Sequence, residues 1–152
     1  MTPGEFELGT DGPSVILVGV DESVTASRAA AYAVGLARRQ GARVVWVYVE
    51  TPGAYILTAS TGASVLAAEA EAHSEIAKDL STRASATAAE LGISLTFITT
   101  RGDPFHEISR IAQETRADAI VVGASLKAGH RLLGSLAVRL VRAGKWPVTV
   151  VP

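Results

Sequence analysis

The sequence predicts an α/β fold: a single doubly wound domain in which four helices flank a five-stranded parallel sheet. Short, nearly continuous apolar runs alternate along the chain with longer segments whose apolar residues recur every three or four positions. This alternation is typical of βαβ units, whose strands are parallel and whose crossovers are right-handed. The chain has 152 residues, of which 48% are hydrophobic, and this suits one domain with a sizeable core.

The first third of the chain predicts a strand, a helix and a second strand. Ser14–Val20 is a β-branched apolar run of the kind found in strands buried on both faces. A helical period begins near Thr25, where either Ser23 or Thr25 suits the N-cap, and it ends before Gly41. Its apolar face is mostly alanine, which allows the helix to lie close to a sheet. Arg43–Val49 is the second strand-like run.

The middle of the chain predicts a long loop, a long helix and a third strand. Residues 50–63 contain two glycines, a proline and several serines and threonines without any period, and a loop of this length in a compact domain is more often functional or mobile than without a role. Val65–Leu91 then follows the helical period and ends at Gly92. Ser94–Thr100 predicts the third strand.

The last third predicts a helix, a strand, a helix and a final strand. Asp103 suits the N-cap of the first helix, and Pro104 suits its first helical position. Ala119–Val122 predicts the fourth strand. The last helix ends near Gly144, and Pro147–Val151 predicts the fifth strand.

Composition excludes several classes of protein. The net charge of −1 provides no polybasic surface for nucleic acid, and the lack of cysteine excludes disulfides and thiolate chemistry. The longest apolar runs have strand length, well short of the ~20 residues of a membrane span. Residues 1–13 lack a basic start and an apolar stretch, so we expect a flexible tail rather than a signal peptide, followed by one domain over residues 14–152. We therefore expect a cytoplasmic protein.

The segment from Gly123 to Ser135 has the pattern of an anion-binding loop. An apolar strand reaches Gly123, a basic loop follows, and a helical pattern opens at Gly134-Ser135. A helix N-terminus presents unpaired N–H groups and a positive dipole end. Gly123 allows either the close approach of a ligand or a plain turn, and the Ser135 hydroxyl suits either a phosphate or the helix N-cap. The loop also carries three cationic or titratable side chains, Lys127, His130 and Arg131.

Asp21 is the second feature that points to a binding site. In open α/β sheets, ligands bind beyond the carboxyl ends of the strands where the strand order reverses. Asp21 follows the first strand and Gly123 ends the fourth, so both are candidates for this crevice. The carboxylate suits a ribose hydroxyl or a magnesium ion, or it stabilises the first turn of the next helix.

Several common catalytic motifs are absent from the sequence. It contains no GxxxxGK[ST], GxGxxG, HExxH or GxSxG pattern. His73 and His106 lack a second ligand at metal spacing, which favours structural roles for both. We therefore name no catalytic residue and no metal ligand.

Together these motifs resemble the universal stress protein family from about Ser14 to Val151. The resemblance is carried by residues 19–23, Tyr48-Val49, Gly102-Asp103-Pro104, residues 121–125, Gly134-Ser135 and residues 146–151. It implies the strand order 3-2-1-4-5, as in adenine-nucleotide α-hydrolase-like folds. It also implies a homodimer in which the final strands, Pro147–Val151, pair antiparallel.

The resemblance also implies a site for an adenine nucleotide. ATP-binding members of the family carry a loop of the form G-x2-G-x9-G-[S/T] that wraps the phosphates, and the aspartate after the first strand and the end of the second strand flank the adenosine. With the charged loop residues added, the expected site comprises Val20, Asp21, Val49, Gly123, Ser125, Gly129, His130, Arg131, Gly134 and Ser135.

The loop departs from the ATP-binding pattern in two ways. Leu126 stands at the second glycine position, and Gly134 comes two residues early. A leucine adds a side chain where the backbone should approach phosphate, and it disfavours positive φ. Gly129 could replace the missing glycine, but it lies at a different position in the loop. The shortened spacing resembles the branch of the family that does not bind ATP.

We expect a regulatory or binding module of the stress response that binds ATP, AMP or cyclic AMP, with or without Mg²⁺, and does not turn it over. Two alternatives stay open: a weak nucleotide hydrolase that uses the same crevice, and a dimeric interaction module that binds no nucleotide. A phospho-acceptor receiver would need an aspartate after strand three and a lysine after strand five. The chain has Thr99-Thr100 and Val151-Pro152 there instead.

Overall fold

Five parallel strands and four helices alternate along the chain in the computed structural model, which describes residues 12–53, 62–125 and 135–152. The elements are β1 (Val15–Gly19), α1 (Val24–Gln40), β2 (Arg43–Glu50), α2 (Ala63–Leu91), β3 (Leu95–Arg101), α3 (Pro104–Glu114), β4 (Ala119–Gly123), α4 (Ser135–Ala143) and β5 (Val148–Val151). The strands form one sheet in the order β3-β2-β1-β4-β5. The predicted fold class and strand order are confirmed.

The predicted element boundaries agree with the structure to within about two residues. The largest difference is at the start of α2, which begins two residues before the predicted Val65, and the ladder between β2 and β3 continues one residue beyond the predicted strands, to the pair Glu50 and Arg101. The predicted 50–63 loop is shorter than expected because α2 begins at Ala63, and residues 54–61 lie outside the described residues. Residues 1–11 of the predicted tail also lie outside them.

The core has two layers, one on each face of the sheet. Alternate side chains of a strand point to opposite faces, so Ile16 and Val18 belong to one layer and Leu17 belongs to the other. The first layer is covered by α1 and α2, and the second by α3 and α4. β1 lies at the centre of the sheet and is buried on both faces, as its continuous apolar run predicts.

Helix α2 is longer than the sheet that it covers. Its 29 residues span about 44 Å, whereas the seven-residue strand β3 spans about 23 Å. Leu80 and Ala84 are its buried residues, while Val65 and Leu66 in its first turn are 49% and 41% exposed. The helical period of the sequence therefore marks a face that is buried only in the C-terminal half. Within the ranges that the structure describes, none of the helices is long and apolar enough to cross a membrane.

Candidate functional site

A cleft of about 550 Å³ opens at the carboxyl ends of the strands. It lies where the strand order reverses, between β1 and β4, and its size suits a small organic ligand. The lining comes from the ends of β1, β2 and β4, from the turns that follow them, and from the first turns of α1, α3 and α4. The crevice that the switch-point argument predicts is therefore present.

The cleft brings together six of the ten predicted site residues. These six are Val20, Asp21, Val49, Gly123, Ser125 and Ser135. The other four, Gly129, His130, Arg131 and Gly134, lie outside the described residues, as do Leu126 and Lys127. The six gather because each follows or ends a parallel strand, or opens the helix after it, and parallel strands end at one edge of the sheet.

Sequence reasoning missed part of the lining. Val47 and Thr51 line the cleft together with Val49. Alternate residues of an extended segment point to the same face, so the prediction of Val49 could have included both. Pro104 and Ile108 line it from the start of α3. The N-cap signal at Asp103 was the available clue, because it places the start of α3 at the same edge of the sheet.

The turn between β1 and α1 is organised by Asp21 and Ser23. Asp21 Oδ1 accepts a hydrogen bond from the Ser23 N–H at 2.7 Å, and Ser23 Oγ accepts one from the Ala26 N–H at 3.1 Å. Ser23 is therefore the N-cap of α1, and Thr25 is not. The Asp21 side chain is exposed and uses one carboxylate oxygen in the turn. The other carboxylate oxygen accepts no hydrogen bond from this turn. Asp21 therefore suits both a structural and a ligand-binding role.

Gly123 has a role that neither sequence interpretation anticipated. A β-carbon at this position would lie 2.5 Å from the carbonyl carbon of Thr25 and 2.6 Å from the backbone nitrogen of Ala26. The first turn of α1 therefore packs directly on the end of β4. Gly123 lines the cleft, but the close neighbour that requires a glycine there is a helix of the same chain.

The described lining of the cleft carries little formal charge. Asp21 is its one ionisable side chain among the residues that the structure describes. Three helices begin at the cleft, and each contributes the positive end of its dipole. Side chains cap α1 and α3: Ser23 accepts from Ala26, and Asp103 accepts from the His106 N–H at 3.1 Å, which confirms the predicted cap. Ser135 is the first described residue of α4, and the residues before it lie outside the described ranges.

An ion pair joins α3 to α4 beside the cleft. Arg139 Nη1 lies 2.9 Å from Asp103 Oδ2, and its guanidinium carbon lies 4.4 Å from the centre of the Phe105 ring. The hydrogen bond from Arg139 holds the pKa of the Asp103 carboxyl below its ordinary value of 3.8. Pro104 and Leu136 line the cleft and belong to the same two helices, so the ion pair links the elements that form two of its walls.

The side chains of the described residues form no cluster of three or more His, Cys, Asp or Glu that suits a metal ion. Asp21 is the only carboxylate in the described lining, and a single carboxylate is typical of a Mg²⁺ ion that arrives with a bound phosphate.

Comparison with known proteins identifies the family. A sequence model of the universal stress protein family matches residues 14–152. The chain belongs to the universal stress protein family. The resemblance drawn from the motifs is therefore confirmed.

Individual universal stress proteins are similar to the chain over most of its length. One from Methanocaldococcus jannaschii is 29% identical over 138 residues, which are 90% of this chain and 80% of that protein. A solved structure of a family member from Burkholderia pseudomallei is 30% identical, has a TM-score of 0.69 and is matched over 91% of this chain and 96% of that chain. A universal stress protein from Archaeoglobus fulgidus, solved in complex with dAMP, is 26% identical, with a TM-score of 0.62 over 90% and 96% of the two chains.

Proposed function

We propose that this universal stress protein binds an adenine nucleotide in the cleft between β1 and β4 and acts as a regulatory module without turning the nucleotide over. The observation that carries the proposal is the cleft itself, which gathers Asp21, Gly123 and Ser135 at the switch point of the sheet. A family member of similar fold has been solved with dAMP, which makes adenine nucleotides the first ligands to test.

The lining suggests how the nucleotide is oriented. The Asp21 carboxylate is the acceptor for the ribose hydroxyls, and the valines at the end of β2, Val47 and Val49, offer an apolar wall to the base. The phosphate lies at the first turn of α4, next to Ser135, because a helix N-terminus attracts anions. In this orientation, the negative phosphate is kept away from the one carboxylate of the described lining.

We expect a nucleotide with a single phosphate to bind at least as tightly as ATP. In the ATP-binding pattern of the family, the second and third glycines of the loop have fixed positions. This chain has Leu126 at the second position, and its third glycine, Gly134, comes two residues early. One phosphate needs fewer backbone N–H groups than three. ATP, when it binds, brings its Mg²⁺ with it, because Mg²⁺ at nucleotide sites is held largely by the phosphates and by water.

The proposal excludes turnover because hydrolysis needs a general base that is held in place against a water molecule. In the described part of the lining, Asp21 is the one side chain of that class, and the turn already uses one of its oxygens. In the hydrolase alternative, Asp21 would therefore have to act as the general base.

Calorimetric titration of the purified protein with AMP, cyclic AMP and ATP, preceded by native mass spectrometry for retained ligand, tests the proposal. We expect AMP or cyclic AMP to bind, and Asp21→Ala to weaken binding about tenfold, as the loss of a hydrogen-bonding carboxylate predicts. Glu22→Ala is the matched control, because Glu22 is also exposed but does not line the cleft. No binding by the wild-type protein at millimolar concentration favours the nucleotide-free interaction module. Phosphate release from ATP that disappears in Asp21→Ala favours the hydrolase.

We also propose a homodimer that forms through β5. This strand is at one edge of the sheet, all four of its residues are half-buried, and it pairs with β4 alone in the described chain. An open edge strand presents a row of N–H and C=O groups that a second copy can pair with.

A further inference from the structure

On the face of β2 opposite the cleft, a tyrosine binds a histidine of α2. The Tyr48 hydroxyl lies 2.6 Å from His73 Nδ1, and Tyr48 is 4% exposed. Burial raises the pKa of the Tyr48 phenol above its ordinary value of 10.0, and the carboxylates of Glu50, Glu22 and Asp21 raise it further. The phenol therefore keeps its proton and is available as the donor to His73 Nδ1.

A carboxylate one turn earlier on α2 continues this chain of contacts to the backbone after β2. Glu69 Oε1 accepts a hydrogen bond from the Gly53 N–H at 2.6 Å and lies 4.0 Å from His73 Nε2. With Nδ1 accepting from Tyr48, the Nε2 atom carries the proton and faces the carboxylate. We call Tyr48, His73 and Glu69 the tyrosine relay.

The two ends of the tyrosine relay bracket the last two lining residues of the segment that ends β2 and follows it. Val49 and Thr51 are lining residues, and they lie between Tyr48, which is held by His73, and Gly53, which is held by Glu69. The relay residues themselves do not line the cleft. A β-carbon at Gly53 would lie 2.7 Å from Glu69 Oε1, so the carboxylate lies directly against this backbone position.

From this arrangement we propose that the tyrosine relay is a positioning device that fixes the β2 wall of the cleft and so sets the affinity for the nucleotide. The inference deepens the proposed function and rests on it for the identity of the ligand. His73 and Glu69 are positioning residues: they act through Tyr48 and Gly53 and touch no ligand in the proposed orientation. His73, for which the sequence favours a structural role, therefore lies outside the cleft and still affects nucleotide binding.

The test compares variants that break the relay with variants that keep it. Tyr48→Phe removes the donor but keeps the ring, and His73→Phe removes the acceptor. His73→Asn restores an acceptor oxygen near the position of Nδ1. Tyr32→Phe is the matched control, because Tyr32 is 44% exposed on α1 and does not line the cleft.

Amide hydrogen exchange in the ligand-free protein is the first measurement. We expect Tyr48→Phe and His73→Phe to speed exchange at Gly53 about two- to tenfold, as the loss of one hydrogen bond predicts, with His73→Asn closer to wild type. The nitrogen chemical shifts of His73 at pH 8 should show an unprotonated Nδ1. Unchanged exchange at Gly53 in both disrupting variants, or a protonated Nδ1, overturns the proposal.

Calorimetric titration with AMP is the second measurement, and thermal unfolding confirms that each variant is folded. We expect AMP affinity to fall about two- to tenfold in Tyr48→Phe and to be unchanged in Tyr32→Phe. If Tyr48→Phe speeds amide exchange at Gly53 but leaves the affinity for AMP unchanged, the tyrosine relay is only a structural contact and the proposal is overturned. If the wild-type protein binds no nucleotide while exchange at Gly53 still responds, the proposed function fails and the positioning of the β2 wall is supported.

Discussion

Gly123 at the end of β4 and Thr25 in the first turn of α1 are in backbone contact. A β-carbon on Gly123 would approach the Thr25 carbonyl carbon to 2.5 Å and its oxygen to 2.8 Å. No real β-carbon tolerates such distances, so one of the two elements has to move. Because both elements line the cleft, the glycine links the packing of the core to the shape of the site.

Gly123→Ala should therefore destabilise the protein by about 1–3 kcal/mol through overpacking. Gly35→Ala is the matched control, because Gly35 lies inside α1 and the nearest atom to its added β-carbon is the flexible end of Arg39 at 3.9 Å. That control should stabilise by about 0.5–1 kcal/mol, since alanine favours the helix. Urea unfolding of the two variants measures the difference. Equal stability of Gly123→Ala and wild type would contradict the backbone contact.

The sequence predicted the elements and the position of the cleft because both follow from local patterns. A β-branched apolar run indicates a buried strand, and parallel strands bring their carboxyl ends to one edge, so Asp21 and Gly123 could be placed together without coordinates. The role of Gly123 was not accessible in this way. A motif indicates that a glycine is needed, but the approach of α1 depends on the packing of two elements far apart in the chain.

Side-chain pairs between distant elements also escaped prediction. Asp103 and Arg139 are 36 residues apart, and Tyr48 and His73 are 25 residues apart. Periodicity assigns a residue to a face of a helix, but it does not set the register of that helix against its neighbour. The predicted sites within residues 126–134 stay predictions, because they lie outside the described residues.

The ion pair between Asp103 and Arg139 should make part of the stability depend on pH. The pKa of Asp103 is lowered in the folded state, so its contribution is fully present above the ordinary value of 3.8 and is lost as pH falls through the folded-state pKa. Asp103→Asn keeps an oxygen for the N-cap and removes the charge. We expect it to destabilise by less than about 1 kcal/mol at pH 7, because both side chains are more than 40% exposed.

Urea unfolding of Asp103→Asn and wild type from pH 7 to pH 3 measures this effect. The difference between them should shrink below pH 4. Asp79→Asn is the control, since Asp79 pairs with Arg83 at 3.7 Å on an exposed face of α2 and should show a smaller difference at pH 7. A difference that stays constant down to pH 3 would contradict a role for the charge.

Asp118 should anchor the start of β1. Its Oδ2 atom accepts hydrogen bonds from the Ser14 and Val15 N–H groups, both at 2.9 Å, and its own N–H donates to the Val15 carbonyl at 2.9 Å. Asp118→Ala leaves the half-buried Val15 N–H unpaired, and we expect a loss of about 1–3 kcal/mol. Asp118→Asn retains a neutral acceptor and should lose less. Thermal unfolding together with exchange at the Val15 amide measures both, and unchanged exchange in Asp118→Ala would count against the anchor.

The backbone of β5 indicates which of its groups are available for the proposed dimer. Ile120 N donates to the Pro147 carbonyl at 3.0 Å, and Ala124 N donates to the Val151 carbonyl at 2.7 Å. Successive residues of a strand direct their backbone groups to alternate sides. The groups of Pro147 and Val151 face β4, so the N–H of Val150 faces the open edge.

Val150→Pro should therefore abolish the dimer and leave the pairing of β5 with β4 in place. Proline removes the N–H of the open edge, and none of the bonds to β4 uses that group. Val150→Thr is the control, because threonine keeps the N–H and the β-branched shape. Sedimentation at micromolar concentration should show a dimer for wild type and Val150→Thr and a monomer for Val150→Pro, with circular dichroism confirming that all three are folded. A wild-type monomer would refute the dimer, and a Val150→Pro dimer would move the interface away from this edge.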